Sequence, residues 1–517
     1  MTVQTTLVPK EPAETARHRR LVRFLAGPIV AIAIGLVAAW IVPHVLGEEF
    51  LVRQIARAYA PIVGSWHGNE RQDDVSVMLL DDTSLQSAGQ AWPADYGYYA
   101  RLLDALAASR PRAVFFDIAF AAQREDPSLD RLQAAVCRAG SAGVKVYLAA
   151  RRDAAGRFLL RPELDALAGR CLTKVAIEYD PDASDQTAWT YRLAADTQAG
   201  EGRVMNVASA IYRDLGHALP AHQHSDLAVN WGLRPAARGI DWLEAPDAGD
   251  HVAHSEAGPE AGAHAAAAPG AGHESDEEAV PYCRQPGNVY YELLVPSVYR
   301  HWRDPASQRP ICVYHNTLYP SDLQTSSAED EALLARHVTG RVVMIGTALQ
   351  GSNDRVLSPL HGRIPGVYMH AMALENLLVD GDGYNRASHV DLVWEGGRVL
   401  WMLLAGLVLI AFGHRQTQRA KKAAQERWTF SGLSHALRKL GQAGVWLLLK
   451  LGGLLLYSVF FLVMLAIGQW LDVGFLTVIH VALYSFAAEW LEWNESLLKW
   501  WTDEKAGHEA PGEAAAA

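Results

Sequence analysis

Apolar and polar positions alternate in a way that sets a long mixed body between strongly apolar runs. Within the body, "VSVMLLDDTSL" at 75–85 starts as an unbroken apolar run, suited to a strand buried on both faces, and ends on the adjacent acids Asp81 and Asp82. Apolar residues then recur at Tyr99, Leu102, Leu103 and Leu106, a helical spacing that Arg110-Pro111 closes. "RAVFFDI" predicts a second strand ending near Asp117, "SLDRLQAAVCRAG" a helix, and "GVKVYLAA" a third strand. Strand, helix, strand, helix, strand implies a parallel sheet covered by helices.

The middle of the body is less regular. "LTKVAIEY" and "VYHNTLYP" are further strand candidates, and the run from Val204 to Leu215 has helical character. Between them, residues 243–282 are rich in Ala, Gly, Pro, acids and His, a composition that buries too little apolar surface to fold and predicts a flexible insertion. Order returns with "RVVMIG", a strand with Asp354 in the loop beyond it. After Pro365-Gly366 comes an amphipathic helix carrying His370, Leu374 and Leu378.

The flanks read as membrane. Residues 24–43 carry no charge over the ~20 residues a bilayer requires, and the basic "RHRRLVR" precedes them, so the positive-inside rule keeps the N-terminus in the cytoplasm. The run exceeds a signal-peptide core, and Pro61 follows "AYA", so an uncleaved anchor is expected. The predicted order is a basic cytoplasmic segment (1–23), a span (24–46), an exterior domain (48–395), a span (396–413) and a basic cytoplasmic loop (414–444). Two further spans (445–467 and 473–489) and a cytoplasmic tail (490–517) complete it. The fold class is therefore α/β, an exterior doubly wound, mainly parallel sheet domain plus four transmembrane α-helices.

Composition narrows the function. A formal charge of −11 over 517 residues, with no basic stripe interleaved with aromatics in the body, argues against nucleic acid as a partner. Cys137, Cys171, Cys283 and Cys312 all fall in the exterior body, where an oxidising compartment permits disulfides. Sequential pairing, Cys137 with Cys171 and Cys283 with Cys312, closes the shortest loops. The four lack the close spacing of a zinc site.

Candidate chemistry concentrates in the acids. Asp81, with Asp82 beside it, has two readings: a ligand-binding carboxylate at the carboxyl edge of the sheet, or the cap of a following turn. Asp117 and Asp354 sit at corresponding strand ends, where clustered carboxylates need a cation, a donor-rich ligand or an arginine to relieve repulsion. No other cofactor is expected. His251, His254, His264 and His273 in the insertion offer imidazoles to a transition metal, but a flexible tract is a poor preorganised site. No G-x-S-x-G, H-E-x-x-H, Walker or dinucleotide fingerprint occurs near these acids, so a non-catalytic role is expected. His480, inside the last predicted span, suits an interhelical hydrogen bond. Trp490, Trp493, Leu497 and Trp500 form a stripe for the membrane interface or a partner.

Together, "VSVMLLDDTSL", the Trp-Pro at 92–93, "PRAVFFDIAF" and "GRVVMIGT" through "SPLHGRIPGVYMHAMALENLL" resemble the CHASE sensory domains of type two, the cyclase/histidine-kinase-associated sensory extracellular domains. The resemblance spans most of 50–395 and implies motif acids at Asp81, Asp117 and Asp354, with His370 in the last element. It also implies about three following spans and then an output module, whereas the stretch after Ala488 is too short for one. "WPADY" lacks the arginine that usually follows Trp-Pro in the family. The expected function is a sensory or binding module in the bacterial inner membrane, its domain in the periplasm, acting through another membrane or envelope protein. The alternative is a structural or assembly subunit of an envelope complex that uses the same fold as a scaffold. Membrane lipid surrounds the spans in either case, and self-association into a homo-oligomer is compatible with both.

Overall fold

The computed structural model describes residues 48–196, 202–220, 226–238, 283–287, 309–324, 327–349 and 354–387, with residue 444 and short stretches between 458 and 483. The first, second and third predicted spans at 24–46, 396–413 and 445–467 lie wholly or largely outside them. So do most of the fourth, the insertion at 243–282 with His251, His254, His264 and His273, and the stripe Trp490, Trp493, Leu497 and Trp500. Among the described residues no helix is long and apolar enough to cross a membrane. The chain divides into two compact units, and 57–224 with 229–382 make up the one that holds the sheet. In the other, Arg386 bridges Leu227 and Val473.

A 19-residue helix, α1 (Glu48–Trp66), leads in. The apolar run at 75 forms β1 (Val75–Asp81), every residue of it buried, as a strand covered on both faces requires. Then follow α2 (Asp82–Ser87), α3 (Tyr96–Ala108), β2 (Ala113–Phe116), α4 (Leu129–Ser141), β3 (Lys145–Ala149), β4 (Thr173–Val175) and α5 (Val207–Asp214). After them come β5 (Asn316–Leu318), α6 (Ala328–His337), β6 (Val342–Ala348), the hairpin of β7 (Arg355–Ser358) and β8 (Gly362–Pro365), and α7 (Val367–Asp380).

Six strands form one sheet in the order β5-β1-β6-β2-β3-β4, all neighbours parallel. The strand from "RVVMIG" is inserted between β1 and β2, with Asp81 in register with Ala348 and Phe116 with Ile345. The two irregular strand candidates supply the short edges β5 and β4.

Alternation along the strands assigns the faces. Met78, Leu80, Val114, Phe116, Val343 and Ile345 pack with α3, α4 and α6 through Tyr99, Leu103, Leu132, Val136 and Leu334. On the opposite face Phe115 meets His370 of α7 edge to face, and the Tyr147 hydroxyl donates to Asp214 of α5. Helices thus cover both faces. Gly346 of β6 is a spacing requirement, since a Cβ there would lie 2.5 Å from Val367 and would lift α7 off the sheet.

The helix expected to be amphipathic is buried all round from Val367 to Leu377, because the segments carrying Tyr191, Asn230 and Tyr314 cover its outer side. Its polar residues are accordingly paired: Asn376 receives the Asn230 N–H at 2.8 Å and donates to the Asn230 carbonyl at 3.0 Å. Both expected disulfides are present, Cys137–Cys171 and Cys283–Cys312. The Trp92-Pro93 peptide is cis. Arg124 donates to the Pro93 and Ala94 carbonyls at 3.0 and 2.5 Å and covers the Tyr96 ring, fixing the start of α3.

Candidate functional site

Because β1, β6 and β2 run parallel, their carboxyl ends share one edge, where open α/β sheets receive ligands. Asp81, Asp117 and Asp354 all come to that edge but divide into two groups.

Asp81 caps α2. Its side chain accepts from the Ser84 N–H at 2.8 Å and from the Ser84 hydroxyl, satisfying a donor that the helix start leaves open. Asp82, the first residue of α2, is exposed. Beside them a cavity of about 700 Å³ opens between β1, α2, α3 and the short turn Pro320–Leu323, and Asp81, Ser84, Ser87, Tyr98, Arg101 and Tyr319 are among its walls. Burial raises the Tyr98 phenol, the nearby Asp81 carboxylate raises it further, and Arg101 opposes them.

Asp117, Asp354 and His370 meet on the α7 side, two strands away from Asp81. Asp117 is buried, and its N–H donates to the Ile345 carbonyl at 2.8 Å. Burial pushes its carboxyl well above the ordinary carboxylate range, and the Asp354 carboxyl pushes it further. Asp354 is exposed as a residue, but its carboxyl turns in over Gly366, where a Cβ would come within 2.5 Å of Oδ1. Burial of that end raises it as well. His370 Nε2 stands 3.7 Å from Asp117 Oδ2, and Nδ1 lies 2.9 Å from the Tyr191 hydroxyl. Burial lowers this imidazole to about 3, so the ring is neutral and packs between helix and sheet. The half-buried Tyr179 phenol is raised by burial and then by both acids.

Residues that sequence reasoning missed form a third group. Glu375 of α7, fully buried, accepts from the Tyr314 hydroxyl at 2.6 Å. It lies 3.6 Å from His67 Nε2, just beyond α1, and 3.3 Å from His315 Nε2, just before β5. Burial works to raise Glu375, but the polar contacts and charges of His315 and His67 outweigh it and bring the carboxyl down to about 2. Of this trio, His67 Nε2, His315 Nε2 and Glu375 Oε2 lack a well-aligned hydrogen bond. The one legible signal was an acid in the otherwise apolar "MHAMALENLL"; its partners come from far along the chain. Among the described residues no group of three or more His, Cys, Asp or Glu is arranged to hold a metal ion. His480 bonds back within its own helix, Nδ1 to the Leu476 carbonyl at 2.9 Å.

The comparisons with known proteins agree with the fold. The family model described as the CHASE2 domain matches residues 37–411, well over half of the chain. No curated protein and no solved structure was found to match it.

Proposed function

From the fact that this chain belongs to the CHASE2 domain family, a family of sensory domains, we propose that it is a membrane-anchored exterior sensory module whose sheet edge binds a small ligand and which acts through a partner protein. The observation that carries this reading is the cavity beside Asp81, at the carboxyl edge of a central parallel strand. Anchoring is supported by the charge-free run at 24–43 behind a basic cluster. A route for the signal is supported by α1, which follows that run in sequence. The Gly64 carbonyl near its end accepts from the Leu233 N–H at 3.0 Å, and Glu375 holds His67 just beyond it. The family is sensory rather than catalytic, in keeping with a non-enzymatic role.

The test uses the full-length protein in nanodiscs and a small-molecule extract of bacterial cells. Thermal stabilisation of the wild type, absent in Ser87→Trp, which places an indole at the cavity wall, is expected. No stabilisation, or equal stabilisation of both proteins, overturns the reading. Action through a partner is tested by gentle extraction from native membranes with stoichiometric identification of what accompanies the chain. A kinase or cyclase in fixed ratio is expected, a large envelope assembly would favour a scaffold, and recovery of the chain alone contradicts a partner.

A further inference from the structure

We infer that the cavity beside Asp81 is selective for a small hydroxylated organic anion, an inference that rests on the sensory reading above. Three features of its walls point to this class. Arg101 is exposed at the cavity, and no carboxylate lies within ion-pair distance of it among the described residues. An unmatched guanidinium beside a concave surface presents a planar set of donors to a carboxylate or phosphate.

Tyr98 supplies the second feature. The residue is 6% exposed, and its hydroxyl has no hydrogen-bond partner among the described residues, an uncommon condition for a buried phenol. Burial keeps its proton on, so the group is a donor waiting for an acceptor. Arg101 lies one helical turn further along α3 and lines the same cavity as Tyr98.

The third feature sets the rest of the ligand. Asp81, already held by Ser84, repels a bare anion but accepts from a hydroxyl, and Thr83, Ser87 and Ser321 extend the wall with groups that both donate and accept. An anion that also carries hydroxyls satisfies Arg101 and Tyr98 at one end and Asp81 at the other. A neutral polyol leaves Arg101 unused, and a hydroxyl-free anion meets Asp81 uncompensated.

Four probes separate the possibilities: citrate, glucose 6-phosphate, inorganic phosphate and glucose, each titrated by thermal shift against full-length wild type, Arg101→Gln, Tyr98→Phe and Ser87→Trp. Stabilisation of the wild type by citrate or by glucose 6-phosphate is expected, and which one acts identifies the anionic group as carboxylate or phosphate. Binding should weaken about tenfold or more in Arg101→Gln, severalfold in Tyr98→Phe, and vanish in Ser87→Trp. Stabilisation by glucose alone, abolished in Ser87→Trp, would overturn the anion inference while leaving the cavity a ligand site. Stabilisation by inorganic phosphate as strong as by either hydroxylated anion would overturn the hydroxyl requirement. If none of the probes acts while the cell extract still stabilises the wild type but not Ser87→Trp, the anion class is wrong and the sensory reading stands. If the extract fails as well, both fall.

Discussion

Nε2 of His370 stands 3.7 Å from Oδ2 of Asp117, yet the two do not form an ion pair. Burial drives both toward neutrality, lowering the imidazole and raising the carboxyl. The Tyr191 hydroxyl lies 2.9 Å from Nδ1 on the other side of the ring, so the neutral imidazole is held between a phenol and a carboxyl.

Opposite pH dependences follow. His370, lowered to about 3, and His361, lowered to about 4 by burial, bind fewer protons in the fold than in the unfolded chain. The stability they contribute is present above the ordinary imidazole value of about 6.5 and is lost as pH falls toward 4 and then 3, each with a slope of at most about 1.4 kcal/mol per pH unit. Asp117 has the opposite sign. Its contribution is present below the ordinary value of about 3.9 and is lost as pH rises through its raised value. Urea denaturation across a pH series is expected to show a shallower acid limb in His370→Asn and a shallower neutral limb in Asp117→Asn.

Glu375 is the buried charge on which the end of α1, the approach to β5 and α7 all converge. Glu375→Ala strands two imidazoles and leaves the Tyr314 hydroxyl only the Gly68 carbonyl at 2.7 Å, and by the usual cost of breaking a buried pair should destabilise by about 3–5 kcal/mol. Glu375→Gln still accepts from Tyr314 and should cost less. Chemical denaturation of the two variants checks the order.

Asp81 has a capping role separable from ligand binding. Asp81→Ala removes the acceptor for the Ser84 N–H and should cost about 1 kcal/mol, whereas Asp81→Asn retains the cap and should cost a few tenths. The melting temperatures of the two variants measure the difference.

The disulfides join residues 34 and 29 apart in sequence. For loops of that length, removing either pair by double Cys→Ser substitution should lower stability by about 3–4 kcal/mol. Loss of Cys137–Cys171 acts where α4 meets the chain before β4. Denaturation with and without reductant provides the comparison.

Much of the sheet was legible because its central strands are buried on both faces and so read as unbroken apolar runs at 75–81, 113–116 and 342–348. Their order was not. Nothing in local pattern says that β6, more than 200 residues after β2, inserts beside it, because that choice is made by long-range packing against α7. The same limit hid the functional groups. Asp117, Asp354 and His370 were legible as strand-end and helix residues, but the separation of Asp81 from them depends on β6 lying between β1 and β2. Arg101 and Tyr98 read as ordinary helix positions until the turn at Pro320–Leu323 closes the cavity opposite them. Arg124, which holds the start of α3, sits at a position that no motif marks.

The most direct test of the central claim is hydrogen–deuterium exchange of the full-length protein in nanodiscs, with and without the small-molecule extract. Binding at the carboxyl edge of β1 predicts added protection confined to peptides covering 82–87, 96–105 and 319–324, lost in Ser87→Trp. Protection confined to peptides around Asp117 and Asp354, or no change anywhere, would contradict it.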